Sequence, residues 1–487
     1  MKHAPEPAPP HVVIVGGGLA GLAAAAGLVD RGLRITILES RPRLGGRASS
    51  FIDPVTGEQV DNCQHVSMAC CTNLADFCRR VGIADLFRRE PAVVFLSLAG
   101  RVSRLRAGLA PAPFHLTESF LLANFLNWKD KLRIGYGLAC LARLRDERPG
   151  ESMADWLARH RQTRRTIDLF WSTVLVSALN ERLDRMDVGH ARKVFVDGFL
   201  STRHGFQMEL PLVPLGELYG GRLENWLGEK GVNVQLTSGV RTVDVDEDGT
   251  TRGVILRTGQ RIDADFVILA VSFDRAPSLL PEAARSRLPA LEGVPRLESS
   301  PITGIHLWFD RPVCPLDHVV TPGRLVQWVF NHTAIQGRQA EGGQYLQVVI
   351  SASYDLLSWD KLAIRDAVLA DLAAIWPGPS GGTPRAGSGP AQARLLRFWV
   401  VTEHGATFAV RPGVDRLRPS QRTAIDGLFL AGDWTDTGWP ATMEGAVRSG
   451  YRAAEGVLED LGRPAQLVRP ELTPGRLARW LLALPSE

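Results

Sequence analysis

The apolar and polar positions near the amino terminus follow the pattern of a strand, a glycine-rich turn, a helix and a second strand. Residues 12–15 are all apolar, residues 21–31 are mostly small or apolar, and residues 34–38 are again largely apolar. Short apolar runs on either side of a helix-length segment are typical of a βαβ unit with parallel strands. The sequence therefore predicts such a unit over residues 11–39.

The rest of the chain divides into helical and strand-like stretches. Residues 85–205 predict mostly helix, with Ser152 as the N-cap of a helix over residues 153–159. Strand character marks much of the remainder, up to a buried strand at residues 428–431 and a final helix that starts near residue 441. The other predicted segments are helices at 120–144 and 215–230, and strands at 232–236, 240–245, 253–257 and 266–271 and within 300–355 and 394–409.

Composition excludes several classes of function. The 487 residues carry a net charge of only +4 and no dense basic run, which argues against nucleic acid as a partner. The six cysteines lack metal-ligand spacing, so we expect reduced thiols and no metal site. No apolar run approaches the roughly 18 residues of a membrane-spanning helix. The Pro-rich residues 1–10 predict a disordered amino-terminal segment (called the lead below), and residues 377–390 predict a surface loop.

The turn of the βαβ unit matches the pattern GxGxxG of dinucleotide-binding proteins. Gly16 permits the tight turn, Gly18 lets the backbone approach a pyrophosphate, and Gly21 allows close packing of helix on strand. Leu19 and Ala20 open the helix, whose N-terminus favours a phosphate. Glu39 ends the second strand 18 residues after Gly21, where a carboxylate accepts both hydroxyls of an adenosine ribose.

Arginines and glycines follow Glu39 directly. Ser40 and Arg41 begin the stretch, and Gly45, Gly46 and Arg47 complete the pattern RxRxGGR. Paired glycines permit an unusual backbone path beside a phosphate or a flavin, and the guanidinium groups match its charge. An ordinary basic surface loop is the alternative interpretation.

The segment 431–450, AGDWTDTGWPATMEGAVRSG, places a carboxylate at a strand end and then begins a helix. Gly432 and Asp433 form the turn, and Thr442, Met443 and Ala446 lie in the first turn of the helix. A helix N-terminus stabilises the negative charge that a reduced flavin carries near N1 and O2. A plain core helix is the alternative.

These motifs together resemble the FAD-binding signatures of the flavin amine oxidase and carotenoid desaturase superfamily. The resemblance implies FAD as the cofactor, with an arginine at its diphosphate and Asp433 at the ribitol–diphosphate. It also implies that the last helix points its N-terminus at the pyrimidine edge of the flavin. Val240 is expected to contact the adenosine through its backbone.

Within the superfamily, the chain most resembles the hydroxysqualene dehydroxylases. The resemblance rests on residues 432–450, 61–66, 179–181 and 302–311 and covers about residues 11–460. It implies reductive loss of an allylic hydroxyl from hydroxysqualene, with hydride from N5 of reduced FAD, in squalene or hopanoid biosynthesis. Cys63 departs from the pattern, because a glycine is expected there.

The fold expected from pattern and resemblance is α/β. A Rossmann-like FAD-binding domain of the amine oxidase (GR2) type would carry an inserted α+β substrate domain. The FAD-binding domain is expected over residues 11–80, 206–275 and 412–465, and the substrate domain over residues 81–205 and 276–411. Residues 466–487 predict an amphipathic carboxyl-terminal tail.

Loss of a hydroxyl requires a proton donor and an apolar site that excludes water. The candidate donors or orienting groups are His65, Glu181, Asp61 and Glu444. Each also has a structural interpretation, such as a helix cap or a buried hydrogen bond. Trp439 is the candidate for a wall of the flavin face, or for a cation–π partner of an allylic cation.

A polyisoprenoid lipid substrate partitions into membranes. Residues 115–145 and 476–484 are amphipathic and Arg-rich, so we expect peripheral attachment to the inner face of the cytoplasmic membrane. Packing of these segments against the core is the competing interpretation. Enzymes of the prenyl- or squalene-synthase type are the expected pathway partners.

Three other functions stay open at this point. A carotenoid (phytoene or ζ-carotene) desaturase would need the same cofactor and apolar tunnel but would run in the opposite redox direction. An amine oxidase would use a lysine near flavin N5, and this chain has only six lysines, none in its last 120 residues. A non-catalytic FAD-binding scaffold for a prenyl-synthesis complex is the third.

Overall fold

The computed structural model describes residues 8–144, 148–337, 343–376, 393–482 and 484. Most of the predicted lead (residues 1–10), the predicted loop at 377–390 and the end of the predicted tail lie outside the described residues. Within the described part, no helix combines the length and apolarity needed to cross a membrane.

A five-stranded parallel sheet forms the first layer and contains both the first and the last strands of the chain. His11–Val15 pairs with Arg34–Leu38 on one side and with Phe266–Leu269 on the other. Both faces are buried, because Val12 and Ile14 enter one apolar cluster while Val13 and Val15 enter another. Burial on both faces is typical of parallel sheets covered by helices. In spatial order the strands are Asn233–Gln235, Arg34–Leu38, His11–Val15, Phe266–Leu269 and Leu428–Leu430.

A seven-stranded mixed sheet forms the second large layer. Its centre is the pair Ser299–Phe309 and Gln344–Ser351, which are antiparallel and almost wholly buried. In spatial order the strands are Leu395–Phe408, Ser299–Phe309, Gln344–Ser351, Trp328–Asn331, His318–Val320, Ala92–Leu96 and Val102–Arg106.

The described part of the chain also contains three small antiparallel sheets. One of them joins Ser67–Met68, Met208–Pro211 and Phe87–Glu90, and so links segments on both sides of the boundary predicted at residue 80. The predicted division into two domains therefore stays a prediction. The strands of the other two sheets are Val240–Val245, Thr251–Leu256 and Arg261–Asp263, and Ser50–Ile52 and Gln59–Asp61.

Helices pack against both faces of the parallel sheet. Among the described residues, three segments are π-helical, at Ile167–Trp171, Val194–Leu200 and Gly216–Gly221. The α-helices are Leu19–Leu28, Thr72–Arg80, Thr117–Leu122, Trp128–Ala142, Met153–Arg159, Arg164–Thr166, Ser172–Leu179, Val188–Lys193, Arg222–Glu229, Glu282–Arg285, His332–Gln336, Lys361–Ile375, Met443–Asp460 and Arg476–Leu481. Short 3₁₀ turns lie at Ala84–Leu86, Phe114–Leu116, Ala276–Leu279, Pro289–Leu291, Val294–Arg296, Tyr354–Leu356 and Val414–Leu417.

The α/β fold and the βαβ unit are confirmed, and so is the Ser152 cap, which forms a reciprocal capping box with Asp155. The prediction of helix from residue 85 was wrong for its first part, because residues 87–106 hold three strands. Burial alternates along Val102–Arg106, which pairs with the apolar Ala92–Leu96, but the inward residue Ser103 is polar and the outward Val102 is apolar, so the sequence does not show this alternation. The helix predicted over residues 120–144 is interrupted, since Asn127 caps a new helix.

The first helix, Leu19–Leu28, packs directly on the last long helix, Met443–Asp460. Gly450 makes this approach possible, because a Cβ there would lie 2.1 Å from the Ala20 carbonyl oxygen. Every residue of Leu19–Leu28 is buried, as expected for a helix that is apolar all round. Two chain segments about 400 residues apart are thus held together.

Substitution Gly450→Ala should destabilise the protein by about 1–3 kcal/mol, because the added methyl group overpacks the helix crossing. The Tm measured by thermal scanning should fall. The matched control is Gly228→Ala in Arg222–Glu229, where a Cβ meets nothing within 4 Å. There alanine should leave the Tm equal or slightly higher, because alanine favours helix. Equal Tm values for the two variants would contradict this account of the crossing.

Candidate functional site

A cradle of bare backbone lies at the N-terminus of Leu19–Leu28. Gly16 has φ of +111°, and a Cβ there would lie 2.4 Å from the Ala270 carbonyl oxygen. Gly18 faces Gly46, where a Cβ would come within 3.0 Å of the Gly18 Cα. The Gly45 N–H donates to the Gly17 carbonyl at 2.9 Å and fixes the two loops together. The cradle thus has space for a ligand beside a helix N-terminus, and this arrangement suits a pyrophosphate.

Glu39 lies buried beside this cradle at the end of its strand. Its Oε2 accepts from the Gly17 N–H at 2.8 Å and its Oε1 accepts from the Arg41 N–H at 2.7 Å. The Ser40 hydroxyl is 3.2 Å from Oε1. A carboxylate has about four acceptor positions, and these donors use three of them, so Glu39 retains about one acceptor position for a ribose hydroxyl.

Gly21 and Val240 contribute differently to the cradle. A Cβ on Gly21 would lie 2.0 Å from the Gly16 carbonyl oxygen, and Gly21 does not line the cavity described below. Its role is therefore the predicted close packing of helix on strand. Val240 does line the cavity, and the nearby Ser238 N–H donates to the Glu39 carbonyl at 2.8 Å.

The other end of the cradle carries an ion pair between the two distant motifs. Arg47 Nη2 lies 2.6 Å from Asp433 Oδ1, and its Nη1 donates to the Ala406 carbonyl at 2.8 Å. The Asp433 carboxylate raises the pKa of Arg47. Gly432 is anchored by its N–H, which donates to the Ser449 hydroxyl at 2.8 Å. Opposite charges from residues 47 and 433 thus meet in the structure, and their expected contacts with the ribitol and the diphosphate stay predictions.

The helix Met443–Asp460 begins at the same place. Thr442 is its N-cap, and its hydroxyl accepts from the Gly445 N–H at 3.1 Å. Met443 and Ala446 both line the cavity. A positive helix end therefore faces the cavity, where it can stabilise a developing negative charge.

Arg418 holds the loop that presents Asp433 and Trp439, and the sequence analysis did not single it out. The guanidinium is buried, and its Nη2 donates to the carbonyl oxygens of Asp433 at 3.1 Å, Thr435 at 2.7 Å and Trp439 at 2.7 Å. No local pattern marks this arginine, because its acceptors lie 15 to 21 residues further along the chain.

His65 and Cys63 line the cavity on the wall formed by residues 62–68. The His65 Nδ1 lies 2.9 Å from the Cys63 carbonyl, which can only accept, so Nδ1 carries a hydrogen. Burial lowers the pKa of His65, so the ring is neutral and its Nε2 is an acceptor. His65 is thus better suited to take up a proton than to donate one. Burial raises the pKa of the Cys63 thiol to about 12.

Glu444 also borders the cavity, but its carboxylate is engaged by the start of another helix. Its Oε2 accepts from the Leu74 N–H at 2.8 Å, and its Oε1 accepts from the Asn73 side chain at 2.8 Å. Burial raises the pKa of Glu444, and these hydrogen bonds act in the opposite direction. The contacts favour a role in joining Thr72–Arg80 to Met443–Asp460.

Asp61 and Glu181 do not line the cavity. Asp61 accepts from the Ser50 hydroxyl at 2.6 Å and from the Leu215 N–H at 2.8 Å. Glu181 is fully buried and accepts from the Tyr354 hydroxyl at 2.9 Å. These hydrogen bonds fit structural roles for both carboxylates. The catalytic roles of the two residues stay predictions that the geometry does not favour.

Trp439 lies in the cavity wall within a group of charged residues. Its indole N–H donates to Glu471 at 3.0 Å, and the Lys193 ammonium sits 4.5 Å from the ring centroid. Lys193 and Asp197 line the cavity as well. The sequence analysis missed both, because only the fold brings Val188–Lys193 and the segment after Asp460 against Trp439.

One cavity of about 1510 Å³ contains the cradle and continues into an apolar chamber. Its volume exceeds the roughly 300–1,000 Å³ of pockets for a single small ligand. The chamber ends among residues 113–143 and the helix Arg476–Leu481. Its aromatic walls are Phe95, Phe125, Phe170, Phe195, Phe199, Phe206, Trp328 and Phe330. All the cofactor-binding residues predicted from the sequence line this cavity except Gly21.

The fold and the site define a dinucleotide-dependent oxidoreductase with a large apolar substrate chamber. The family model of the flavin containing amine oxidoreductases matches residues 19–458. The chain belongs to this family and is an FAD-dependent oxidoreductase. The cradle, Glu39 and the Arg47–Asp433 pair fit FAD in charge and in space.

The relatives of this chain include carotenoid desaturases. The chain is 28% identical over 475 residues to the 15-cis-phytoene desaturase of Solanum lycopersicum, covering 94% of this chain and 80% of the relative. It is 26% identical to a probable zeta-carotene desaturase of Synechococcus elongatus, covering 92% and 98%. An oxidoreductase structure from Methanosarcina mazei has the same fold, with a TM-score of 0.69, 19% identity and coverage of 92% and 100%. The relatives found therefore do not single out the hydroxysqualene dehydroxylases.

Substitution Glu39→Gln should weaken FAD binding about 10- to 100-fold, because hydrogen bonds to a charged group contribute about 1.5–3 kcal/mol. The amide preserves size but replaces one acceptor oxygen and removes the charge. The Kd can be measured by titrating the FAD-free protein with FAD and following flavin fluorescence. The matched control is Glu224→Gln on the exposed face of Arg222–Glu229. Wild-type affinity in Glu39→Gln would contradict the assignment of Glu39 to the ribose.

Proposed function

We propose that this enzyme transfers a hydride between FAD and an allylic carbon of a long polyisoprenoid lipid. The observation that carries the proposal is the single cavity, which joins the FAD cradle to an aromatic-walled apolar chamber. Such a chamber suits an extended hydrocarbon and offers it few polar partners. When bound, FAD supplies hydride chemistry at N5.

The residues of the chain would orient the substrate and exclude water. Stacked rings such as Phe95 with Phe125, 5.3 Å apart, and Phe170 with Phe195, 5.7 Å apart, give the chamber rigid walls. Their π faces can also stabilise a carbon centre that becomes cationic when its hydride leaves. The start of Met443–Asp460 would stabilise the negative charge on the flavin side.

Desaturation of a carotenoid precursor is the first candidate reaction. The names of the relatives support it, since both phytoene and zeta-carotene desaturases align over more than nine-tenths of this chain. Loss of a hydride from one carbon must be accompanied by loss of a proton from its neighbour. Neutral His65, with Nε2 as an acceptor on the cavity wall, is the group we propose for that proton.

Reductive dehydroxylation of hydroxysqualene is the second candidate. The resemblance of residues 432–450 to the hydroxysqualene dehydroxylases supports it. The charged group around Lys193 and Asp197 supports it as well, because a hydrocarbon substrate would not require charged side chains in the chamber wall. A role beside squalene-synthase-type enzymes would follow from this reaction.

Product analysis with both substrates tests the proposal. The FAD-loaded enzyme should convert phytoene when a quinone is the oxidant, or hydroxysqualene when dithionite is the reductant, as detected by chromatography and mass spectrometry. Ala178→Trp should reduce turnover at least tenfold while FAD is retained, because Ala178 lines the chamber. The matched control is Ala158→Trp, an exposed helix position. Turnover of neither lipid, or full turnover in Ala178→Trp, would contradict the proposal.

We also propose that the mouth of the chamber rests on a membrane surface. Large apolar side chains there are exposed, including Leu122 at 74%, Trp128 at 66% and Trp480 at 77%. Ala142 and Ala478 share an apolar cluster, so the helices Trp128–Ala142 and Arg476–Leu481 pack against each other, and we refer to the exposed apolar side chains of this region as the patch. The same two helices and the residue that follows the first of them carry basic side chains, which favours anionic lipid; they are Lys129, Lys131, Arg133, Arg143, Arg476 and Arg479.

The double variant Trp128→Gln with Trp480→Gln should bind vesicles of mixed neutral and anionic lipid about tenfold more weakly than the wild type. The reason is that two exposed rings lose their transfer into the bilayer interface. Flotation through a density gradient measures the bound fraction. Trp359→Gln is the matched control, because Trp359 is 46% exposed but lies outside the patch. A wild-type protein that never floats would contradict the membrane proposal.

A further inference from the structure

The carboxyl-terminal segment of residues 463–475 connects the last long helix to the final short helix without forming a helix or a strand itself. Hydrogen bonds from its main chain hold it to the rest of the protein. The Leu467 N–H donates to Glu455 Oε1 at 2.6 Å, and the Gly475 N–H donates to the Ser201 carbonyl at 3.0 Å. The segment therefore follows a defined path between these two attachments.

Glu471 lies between the two attachments and contacts the cavity wall from behind. Its Oε1 accepts from the Trp439 indole N–H at 3.0 Å. The same oxygen lies 3.1 Å from Lys193 Nζ and 3.3 Å from Arg448 Nη1, and Glu471 itself does not line the cavity. Two cations beside one carboxyl group favour its ionised form. A hydrogen bond to a carboxylate is also stronger than one between neutral groups.

Trp439 lies where the cofactor cradle meets the apolar chamber. It lines the cavity and is only 6% exposed. It belongs to the loop that runs from Asp433, the partner of Arg47, to Thr442, the N-cap of the last long helix. The orientation of the Trp439 ring therefore sets the shape of the cavity at this boundary.

Three side chains hold Trp439, and each acts on a different part of it. Arg418 Nη2 donates to the Trp439 carbonyl at 2.7 Å and so fixes the backbone. The Lys193 ammonium lies 4.5 Å from the ring centroid and attracts the face of the ring. An indole has a single N–H donor, so the bond to Glu471 fixes the direction of the ring edge.

The charges around Glu471 are paired with one another. Lys193 Nζ also lies 2.7 Å from Asp197 Oδ2, and Arg448 Nη1 lies 4.0 Å from Glu444 Oε1 as well. Charges that are shielded from water need such partners, and the pairing restricts them to one arrangement. The group thus suits a wall that stays in place while a substrate binds.

We propose that Glu471 is a positioning residue for hydride transfer, because it holds the Trp439 ring at the boundary between the FAD cradle and the lipid chamber. The proposal rests on the proposed function and applies to both candidate reactions, since both transfer a hydride between FAD and a lipid. Hydride transfer depends on alignment, and a misplacement of about 1 Å can cost about 10²-fold in rate. The carboxyl-terminal segment thus contributes to the reaction from outside the cavity.

Glu471→Leu should lower kcat about 10- to 100-fold for the lipid that the enzyme converts, because the indole loses its acceptor and the ring can turn. The KM for the lipid should change less, since the apolar walls of the chamber remain. Glu471→Gln should restore much of the rate, because its amide oxygen can accept from the indole. The matched control is Arg469→Met in the same segment, which removes the 2.8 Å contact with Asp76. Arg469 does not line the cavity, so this variant should keep the wild-type kcat.

A double-mutant cycle shows whether Glu471 acts through Trp439. Trp439→Phe keeps a ring in the wall but removes the N–H, so the addition of Glu471→Leu should lower kcat little further. Such non-additive effects are expected for groups that share one interaction. Equal kcat in Glu471→Leu and wild type would overturn the proposal, and so would independent effects of the two substitutions.

The Trp439 indole can also be observed without any lipid. In FAD-loaded protein with isotope-labelled tryptophan, its N–H resonance is the one that is missing from the NMR spectrum of Trp439→Phe. This resonance should move upfield in Glu471→Leu, because the bond to a carboxylate is lost, and should stay in place in Arg469→Met. If Glu471→Leu does not fold, Glu471→Gln carries the same test, because a bond to a neutral acceptor is weaker and should shift the resonance in the same direction.

The NMR experiment separates this proposal from the proposed function. An enzyme that converts neither lipid, but whose Trp439 resonance moves in Glu471→Leu, would overturn the proposed function while supporting the positioning of Trp439 by Glu471. A Trp439 resonance that does not move when Glu471 is substituted would overturn the positioning role whatever the substrate.

Discussion

The structure depends on one helix crossing, between Leu19–Leu28 and Met443–Asp460. The backbones approach so closely that Gly450 has no room for a Cβ beside the Ala20 carbonyl. This contact brings two helix N-termini to one cavity and allows Arg47 to pair with Asp433. Without it, the pyrophosphate end and the flavin end of the cofactor site would belong to separate parts of the chain. Close packing here is therefore a condition for binding as well as for stability.

Buried polar groups keep the crossing and the loop beside it in a single arrangement. Glu444 receives hydrogen bonds from the start of Thr72–Arg80, and Arg418 gathers three carbonyl oxygens of the loop that carries Asp433 and Trp439. Burial of a polar or charged group costs free energy unless the group has a hydrogen-bond or ion-pair partner. Their pairing fixes where the loop can lie, and so fixes the boundary between the cofactor cradle and the substrate chamber.

Local signals allowed much of this site to be predicted from the sequence. Gly16, Gly18 and Glu39 stand at fixed distances within one βαβ unit, so their spacing alone reveals the cradle. Arg418 and Glu471 carry no such signal, because the groups they contact in the cavity wall are distant in the chain and meet them only in the folded protein. Asp61 and Glu181 were candidates because the sequence does not show that Leu215 and Tyr354, which are distant in the chain, engage their carboxylates. Neither residue lines the cavity. The strand at 87–90 was missed because its partner, residues 208–211, is distant in the chain, whereas the strands at 92–96 and 102–106 pair with each other and were missed although they are close together.

The central claim is that one cavity holds FAD and a polyisoprenoid so that a hydride passes between them. Flavin absorbance after anaerobic mixing of the enzyme with a single lipid tests it most directly. The account predicts that phytoene bleaches the oxidised flavin, or that hydroxysqualene restores the oxidised spectrum of the reduced enzyme, with no other donor or acceptor present. A flavin spectrum that responds to neither lipid, but changes when a simple amine is added, would contradict the account.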